Sequence, residues 1–93
     1  MKSAERFSLL DCRERWEYRQ ARMDGATLIP MREVPRNLHQ IPKDVPVIVY
    51  CHYGMRSHDV AVWLRGMRLQ ARSLSGGIDR WSREIDPKVP RYY

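Results

Sequence analysis

The chain has 93 residues, 43% of them hydrophobic, which suits one small domain with a modest packed core rather than a disordered chain. No apolar run approaches the ~20 residues that cross a bilayer, and residues 1–6 hold no apolar stretch of signal-peptide length. A soluble cytoplasmic protein with no membrane partner is expected. The net charge is +6, from 17 basic and 11 acidic residues. All the bases except Lys2, Lys43 and Lys88 are arginines, scattered among acids as in Arg13-Glu14-Arg15 and Arg32-Glu33. That pattern reads as a solvated basic surface, not a nucleic-acid stripe, and its field draws small anions and acidic proteins. Two cysteines, Cys12 and Cys51, make no disulfide framework. With no CxxC and no HExxH, and with Cys51, His52 and His58 wrongly spaced for zinc, no metal or other cofactor is expected.

In chain order, residues 7–12 (Phe-Ser-Leu-Leu-Asp-Cys) read as a buried strand, and residues 14–22 as a helix offering Trp16 and Tyr18 for packing. Asp24-Gly25 breaks that helix. Residues 26–29 form a short strand stopped by Pro30, and residues 31–40 contain a short helix starting near Pro35, because proline suits a first helical turn. Val47-Ile48-Val49-Tyr50 is the strongest strand signal, β-branched and apolar on both faces like the centre of a parallel sheet. A helix over 57–67 follows, with Val60, Ala61, Leu64 and Met67 on its inner face and Arg65 and Arg68 turned away. Residues 72–75 are a weaker strand, Gly76-Gly77 a turn, and 78–84 a last helix carrying Trp81. Pro87 and Pro90 mark an extended tail. Trp16, Trp63 and Trp81 are read as packing residues, His39 and His58 as lying on solvated helix faces. The alternation implies an α/β sandwich with a mainly parallel sheet.

The informative stretch is Cys51-His52-Tyr53-Gly54-Met55-Arg56-Ser57. A cysteine ends a central strand, a loop with a glycine follows, and a helix begins. Sites in open α/β sheets form at the carboxyl ends of strands, and unpaired N–H groups at a helix start favour an anion. Amides closing around the Cys51 sulfur favour thiolate over thiol, and would hold a persulfide, Cys–S–S⁻, for the same reason. The alternative is an inert cysteine closing a core strand. Four residues separate Cys51 from Arg56.

Cys51-x-x-Gly54-x-Arg56-Ser57 resembles the active-site loop of the rhodanese-like sulfurtransferases. Three further stretches match in order. Leu9-Leu10-Asp11-Cys12-Arg13-Glu14 resembles that family's LLDVRE strand. Trp16-Glu17-Tyr18, Gly25-Ala26 and Ile29-Pro30 resemble the pattern that follows it. Gly76-Gly77-Ile78-Asp79-Arg80-Trp81 resembles its GGI-x-x-W turn. The Cys-His-Tyr-Gly-Met-Arg-Ser loop, with the tail from Trp81 through Pro87, Pro90, Arg91 and Tyr92, is most similar to rhodanese domains associated with sulfur-carrier adenylating enzymes. The chain departs from the pattern twice. Only eight residues precede Leu9, so either the usual first strand and helix are missing or residues 1–8 supply a short edge strand. Ala21-Arg22-Met23 stands where the family has GHI.

The resemblance implies a rhodanese-like three-layer sandwich, with a mainly parallel sheet of four to five strands between helices, spanning residues 1–93 as one domain. It implies a thiosulfate sulfurtransferase working through a persulfide on Cys51, with His52, Tyr53, Gly54, Met55 and Arg56 binding the donor. The partners implied are a small anionic sulfur donor and a protein acceptor such as a ubiquitin-like sulfur carrier. Several roles stay open. His52 and Tyr53 either line the pocket mouth or are plain loop residues, and Met55 is either an apolar lip or filler. Arg56 neutralises a donor or braces the loop through carbonyls. Gly54 and Ser57 read as permitting the turn and starting the helix. Asp11 and Arg13 read as a structural ion pair, and Cys12 as a small core residue or a resolving thiol for Cys51. A non-catalytic rhodanese-like interaction module is the rival reading, and a phosphatase or arsenate reductase is disfavoured by loop length.

Overall fold

The computed structural model describes residues 6–90. Four strands, β1 (Ser8–Asp11), β2 (Thr27–Leu28), β3 (Val47–Tyr50) and β4 (Ala71–Ser73), form one sheet in the order β2-β1-β3-β4. Every pairing is parallel. Helix α1 (Arg15–Gln20) follows β1, α2 (Met55–Gly66) links β3 to β4, and α3 (Gly77–Glu84) ends the fold. Two 3-10 turns, Met31–Glu33 and Pro35–Gln40, connect β2 to β3. The expected edge strand over 1–8 lies mostly outside the described residues. Arg91 and Tyr92 of the matched tail lie wholly outside them.

Side chains alternate across each strand, and the sheet buries both faces. Leu10, Val47, Val49 and Ala71 meet Val60, Ala61 and Leu64 of α2 on one side, with Val34 and Ile41 closing that layer. Leu9 and Tyr50 meet Ala21, Met23 and Ile78 of α3 on the other. The result is an α/β sandwich with helices on both faces of a four-stranded parallel sheet, and no helix among the described residues is long and apolar enough to cross a membrane.

Met67 departs from the expected inner face and is 45% exposed. The helix stops at Gly66, and Arg68 turns left-handed at φ 69°. Leu69 N then donates to Leu64 O and Arg68 N to Arg65 O, a Schellman closure with arginine where glycine is usual. Trp16 and Trp63 are also not packing residues, at 50% and 39% exposed. The short α1 buries only Glu17, and Trp63 lies at the edge of the α2 stripe, over Met31 and Val34. Trp81 does pack, half-buried against the α3-side cluster. His39 and His58 are exposed, as expected.

A buried polar cluster ties the ends of β1 and β3 together. Arg13 donates to Asp11 at 2.9 and 2.7 Å, both side chains fully buried, and also to the Ala21 carbonyl. Tyr50 Oη donates to Asp11 at 2.8 Å and accepts from Met23 N at 3.1 Å. Burial, with the Asp11 carboxylate beside it, holds the Tyr50 phenol above its ordinary range. These bonds anchor the Ala21-Arg22-Met23 turn, whose Ala21 and Met23 are buried despite the departure from the family pattern.

Candidate active site

The chain leaves β1 toward one edge of the sheet and leaves β3 toward the other. The crevice between their carboxyl ends is therefore the switch point at which α/β sheets bind ligands. Cys51 is the first residue past β3. Its sulfur faces α2, 1% exposed, and forms the floor of a cleft of about 690 Å³. Glu14, Trp16, Glu17, His52, Tyr53, Met55 and Arg56 line that cleft.

Two main-chain amides converge on the Cys51 sulfur. Gly54 N donates to Sγ at 3.1 Å and Ser57 N at 3.3 Å. The loop can fold back this sharply because Gly54 takes φ 108°, a left-handed conformation that costs residues with a Cβ about 1–2 kcal/mol. Helix α2 starts one residue later, so its positive end also faces the sulfur. The Ser57 hydroxyl lies 3.4 Å from Sγ and 2.6 Å from the Ser73 hydroxyl at the end of β4. A protonated Cys51 donates to that hydroxyl, and an ionised one accepts from it.

Together these groups lower the Cys51 pKa to about 5. The largest cause is the neighbouring Cys12 thiol, followed by an opposing penalty from burial, then by the Ser57 hydroxyl and the Ser57 and Gly54 amides. Cys12 moves the opposite way, its thiol held protonated first by the Cys51 sulfur beside it and then by burial.

The other loop residues divide. His52 is buried and stacks on the Tyr53 ring, with centroids 4.0 Å apart, and its Nε2 lies 3.9 Å from Asp79 Oδ1 of α3. Tyr53 and Met55 are exposed at 55% and 80%, and with Trp16 they give the cleft an apolar rim. Arg56 faces Glu17 of α1, donating through its two terminal nitrogens at 2.7 and 2.8 Å. This pair holds the guanidinium above its ordinary range. Glu17 also accepts from Glu14 N at 3.0 Å.

The start of α3 fixes the loop from the other side. Ile78 N donates to the Cys51 carbonyl at 2.8 Å and Asp79 N to the His52 carbonyl at 3.0 Å. A Cβ on Gly77 would collide with both carbonyls, which is the physical reason for glycine in that turn. The structure brings Cys51 and the loop singled out in the sequence around one cleft, and adds three contacts that the sequence did not foretell. Ser57 touches the sulfur, Ser73 orients Ser57, and Glu17 holds Arg56. Ser57 and Glu17 stood in matched stretches of the sequence, Cys51-x-x-Gly54-x-Arg56-Ser57 and Trp16-Glu17-Tyr18, and Ser73 stood in none.

A sequence model of the family described as "Rhodanese-like domain" matches residues 1–84. A protein named "Sulfurtransferase" from Allochromatium vinosum is 34% identical over 82 residues, covering 87% of this chain and 77% of that protein. The "Probable adenylyltransferase/sulfurtransferase MoeZ" of Mycobacterium tuberculosis is 29% identical over 93 residues, and the match spans only 24% of its length. Among solved structures, a rhodanese-related protein from Thermoplasma volcanium superposes with a TM-score of 0.83 at 27% identity, over 92% of this chain and 85% of that one. Sequence and architecture agree, and the chain belongs to the rhodanese-like domain family.

Proposed function

We propose that residues 1–93 work as a single-domain cytoplasmic sulfurtransferase that carries sulfane sulfur on Cys51. Sulfur transfer is the activity that relatives named sulfurtransferase support at the family level. The observation that carries the finer reading is the Cys51 sulfur itself. It sits at the floor of an open cleft, bonded by two amides and a hydroxyl that favour its anion.

The thiolate attacks the outer sulfur of thiosulfate. A bond forms between Cys51 Sγ and that sulfur, the sulfur–sulfur bond of the donor breaks, and sulfite leaves with the electron pair. The product, Cys51–S–S⁻, keeps its charge against the α2 terminus. A second nucleophile, such as cyanide or a small thiolate, then takes the outer sulfur and regenerates the Cys51 thiolate in a ping-pong cycle. No separate base is needed, because a group with a pKa of about 5 is ionised at neutral pH.

Tyr53, Met55 and His52 bound the entry, with Gly54 shaping the loop. Arg56 positions the loop through Glu17, and its charge is shared with that carboxylate before any donor arrives. The match to a protein named adenylyltransferase/sulfurtransferase supports a ubiquitin-like sulfur carrier as acceptor. The test is thiocyanate formation from thiosulfate and cyanide. Wild type should turn over and Cys51→Ser, checked for folding by circular dichroism, should fall to background. Undiminished turnover by Cys51→Ser would overturn the role of Cys51, and no turnover by folded wild type would leave an interaction module.

A further inference from the structure

Cys12 stands beside Cys51 in a position that allows more than favouring the Cys51 anion. Strands β1 and β3 pair in register, with Asp11 opposite Tyr50. Cys12 N donates to Tyr50 O at 3.2 Å, so the pairing continues onto the two cysteines. Neighbouring strands lie about 4.8 Å apart, within the roughly 4.4–6.8 Å between Cα atoms that a disulfide spans. The same register puts both side chains on the α2 face, each 1% exposed, in one cluster. The Cys12 sulfur donates to the Tyr50 carbonyl at 3.4 Å, on the strand residue that immediately precedes Cys51. Both thiols are free.

We propose that Cys12 is a resolving residue that discharges a Cys51 persulfide by closing the Cys12–Cys51 disulfide and releasing the outer sulfur as hydrosulfide. The inference rests on the persulfide reading above. The Cys12 sulfur attacks Cys51 Sγ, and the bond between Sγ and the outer sulfur breaks. The outer sulfur leaves with the electron pair and takes the Cys12 proton. One persulfide anion and one thiol become one disulfide and one hydrosulfide, so charge and hydrogen balance. The persulfide is reduced by two electrons and the cysteine pair oxidised by two, so no outside oxidant or reductant enters. The Cys12 proton passes to the anionic outer sulfur as the attack begins, so that a thiolate attacks and hydrosulfide leaves. The Gly54 and Ser57 amides stabilise the charge that departs. A chain loaded with sulfur while no acceptor is present empties itself once, and stays closed until a dithiol reductant reopens it. An acceptor that arrives first takes the sulfur directly.

The experiment is anaerobic incubation of reduced, desalted protein with thiosulfate and no other thiol, in wild type and in two variants, Cys12→Ala and Cys12→Val. Released sulfide, intact mass and a non-reducing tryptic map are read together. Wild type should release one sulfide per chain and link the peptides spanning residues 7–13 and 44–56. Both variants lack the thiol that most favours the Cys51 anion, so they should load more slowly, but they should keep one extra sulfur on the 44–56 peptide and release no sulfide. Wild type that keeps the extra sulfur, with no linked peptides, would overturn the resolving role while leaving the persulfide intact. Three proteins that neither gain sulfur nor release sulfide would overturn the persulfide itself, and the resolving role with it.

Discussion

Arg56 of the loop that follows Cys51 holds Glu17 of α1 with two hydrogen bonds, of 2.7 and 2.8 Å, across 39 positions of sequence. The Glu17 side chain is 4% exposed and that of Arg56 is 37%. Removing Arg56 leaves a buried carboxylate facing the cleft. The cost lies below the 3–5 kcal/mol of a fully buried pair because solvent screens the half-exposed guanidinium. Arg56→Ala is expected to lose about 1–3 kcal/mol in urea unfolding. In a double-mutant cycle with Glu17→Gln, the two losses should fall short of additive by about 1 kcal/mol. Strict additivity would mean that the pair does not brace the loop.

Gly77 is the second support. Its φ is 63°, and an added Cβ meets the Cys51 and His52 carbonyls. Gly77→Ala combines left-handed strain with overpacking against backbone and should cost about 2–4 kcal/mol. Because the displaced atoms are the carbonyls that receive Ile78 N and Asp79 N, the loop shifts with them. Sulfur uptake by the folded fraction should fall as well, a result read from initial rates normalised to native protein.

Arg68 offers a change of the opposite sign. It occupies the left-handed residue of the α2 closure at φ 69° and is exposed, so its side chain contributes little packing. Arg68→Gly should raise stability by about 0.5–1 kcal/mol with activity unchanged. Thermal unfolding checks it, and an unchanged or lower melting point would show that the arginine side chain contributes more than its backbone costs.

The sheet and the loop were legible in the sequence for a simple reason. Val47–Tyr50 is a short apolar run with both faces buried, a pattern few other environments accept, and its ends match the expectation. The loop announced itself because a glycine and an arginine stand at fixed steps from a cysteine at a strand end. What stayed hidden was tertiary. Ser73 reaches Ser57 from another strand, and Arg56 finds a carboxylate on α1 rather than backbone carbonyls or open solvent. Nothing local in the sequence pairs Ser73 with Ser57 or Glu17 with Arg56. Trp16 misled because aromatic bulk suggests burial, whereas α1 is a short helix that turns a charged residue, Glu17, inward and Trp16 outward.

The account depends on the state of one sulfur atom at neutral pH. The rate of iodoacetamide labelling at Cys51, followed by peptide mapping from acid to alkaline pH, reports that state directly. The midpoint should lie near 5, since the anion is favoured down to that pH and lost by protonation below it. Ser57→Ala should raise the midpoint by about one unit, as expected for losing one hydrogen bond to a charged group. A Cys51 midpoint at the value of an ordinary thiol, about 8.5, unmoved by Ser57→Ala, would contradict the account.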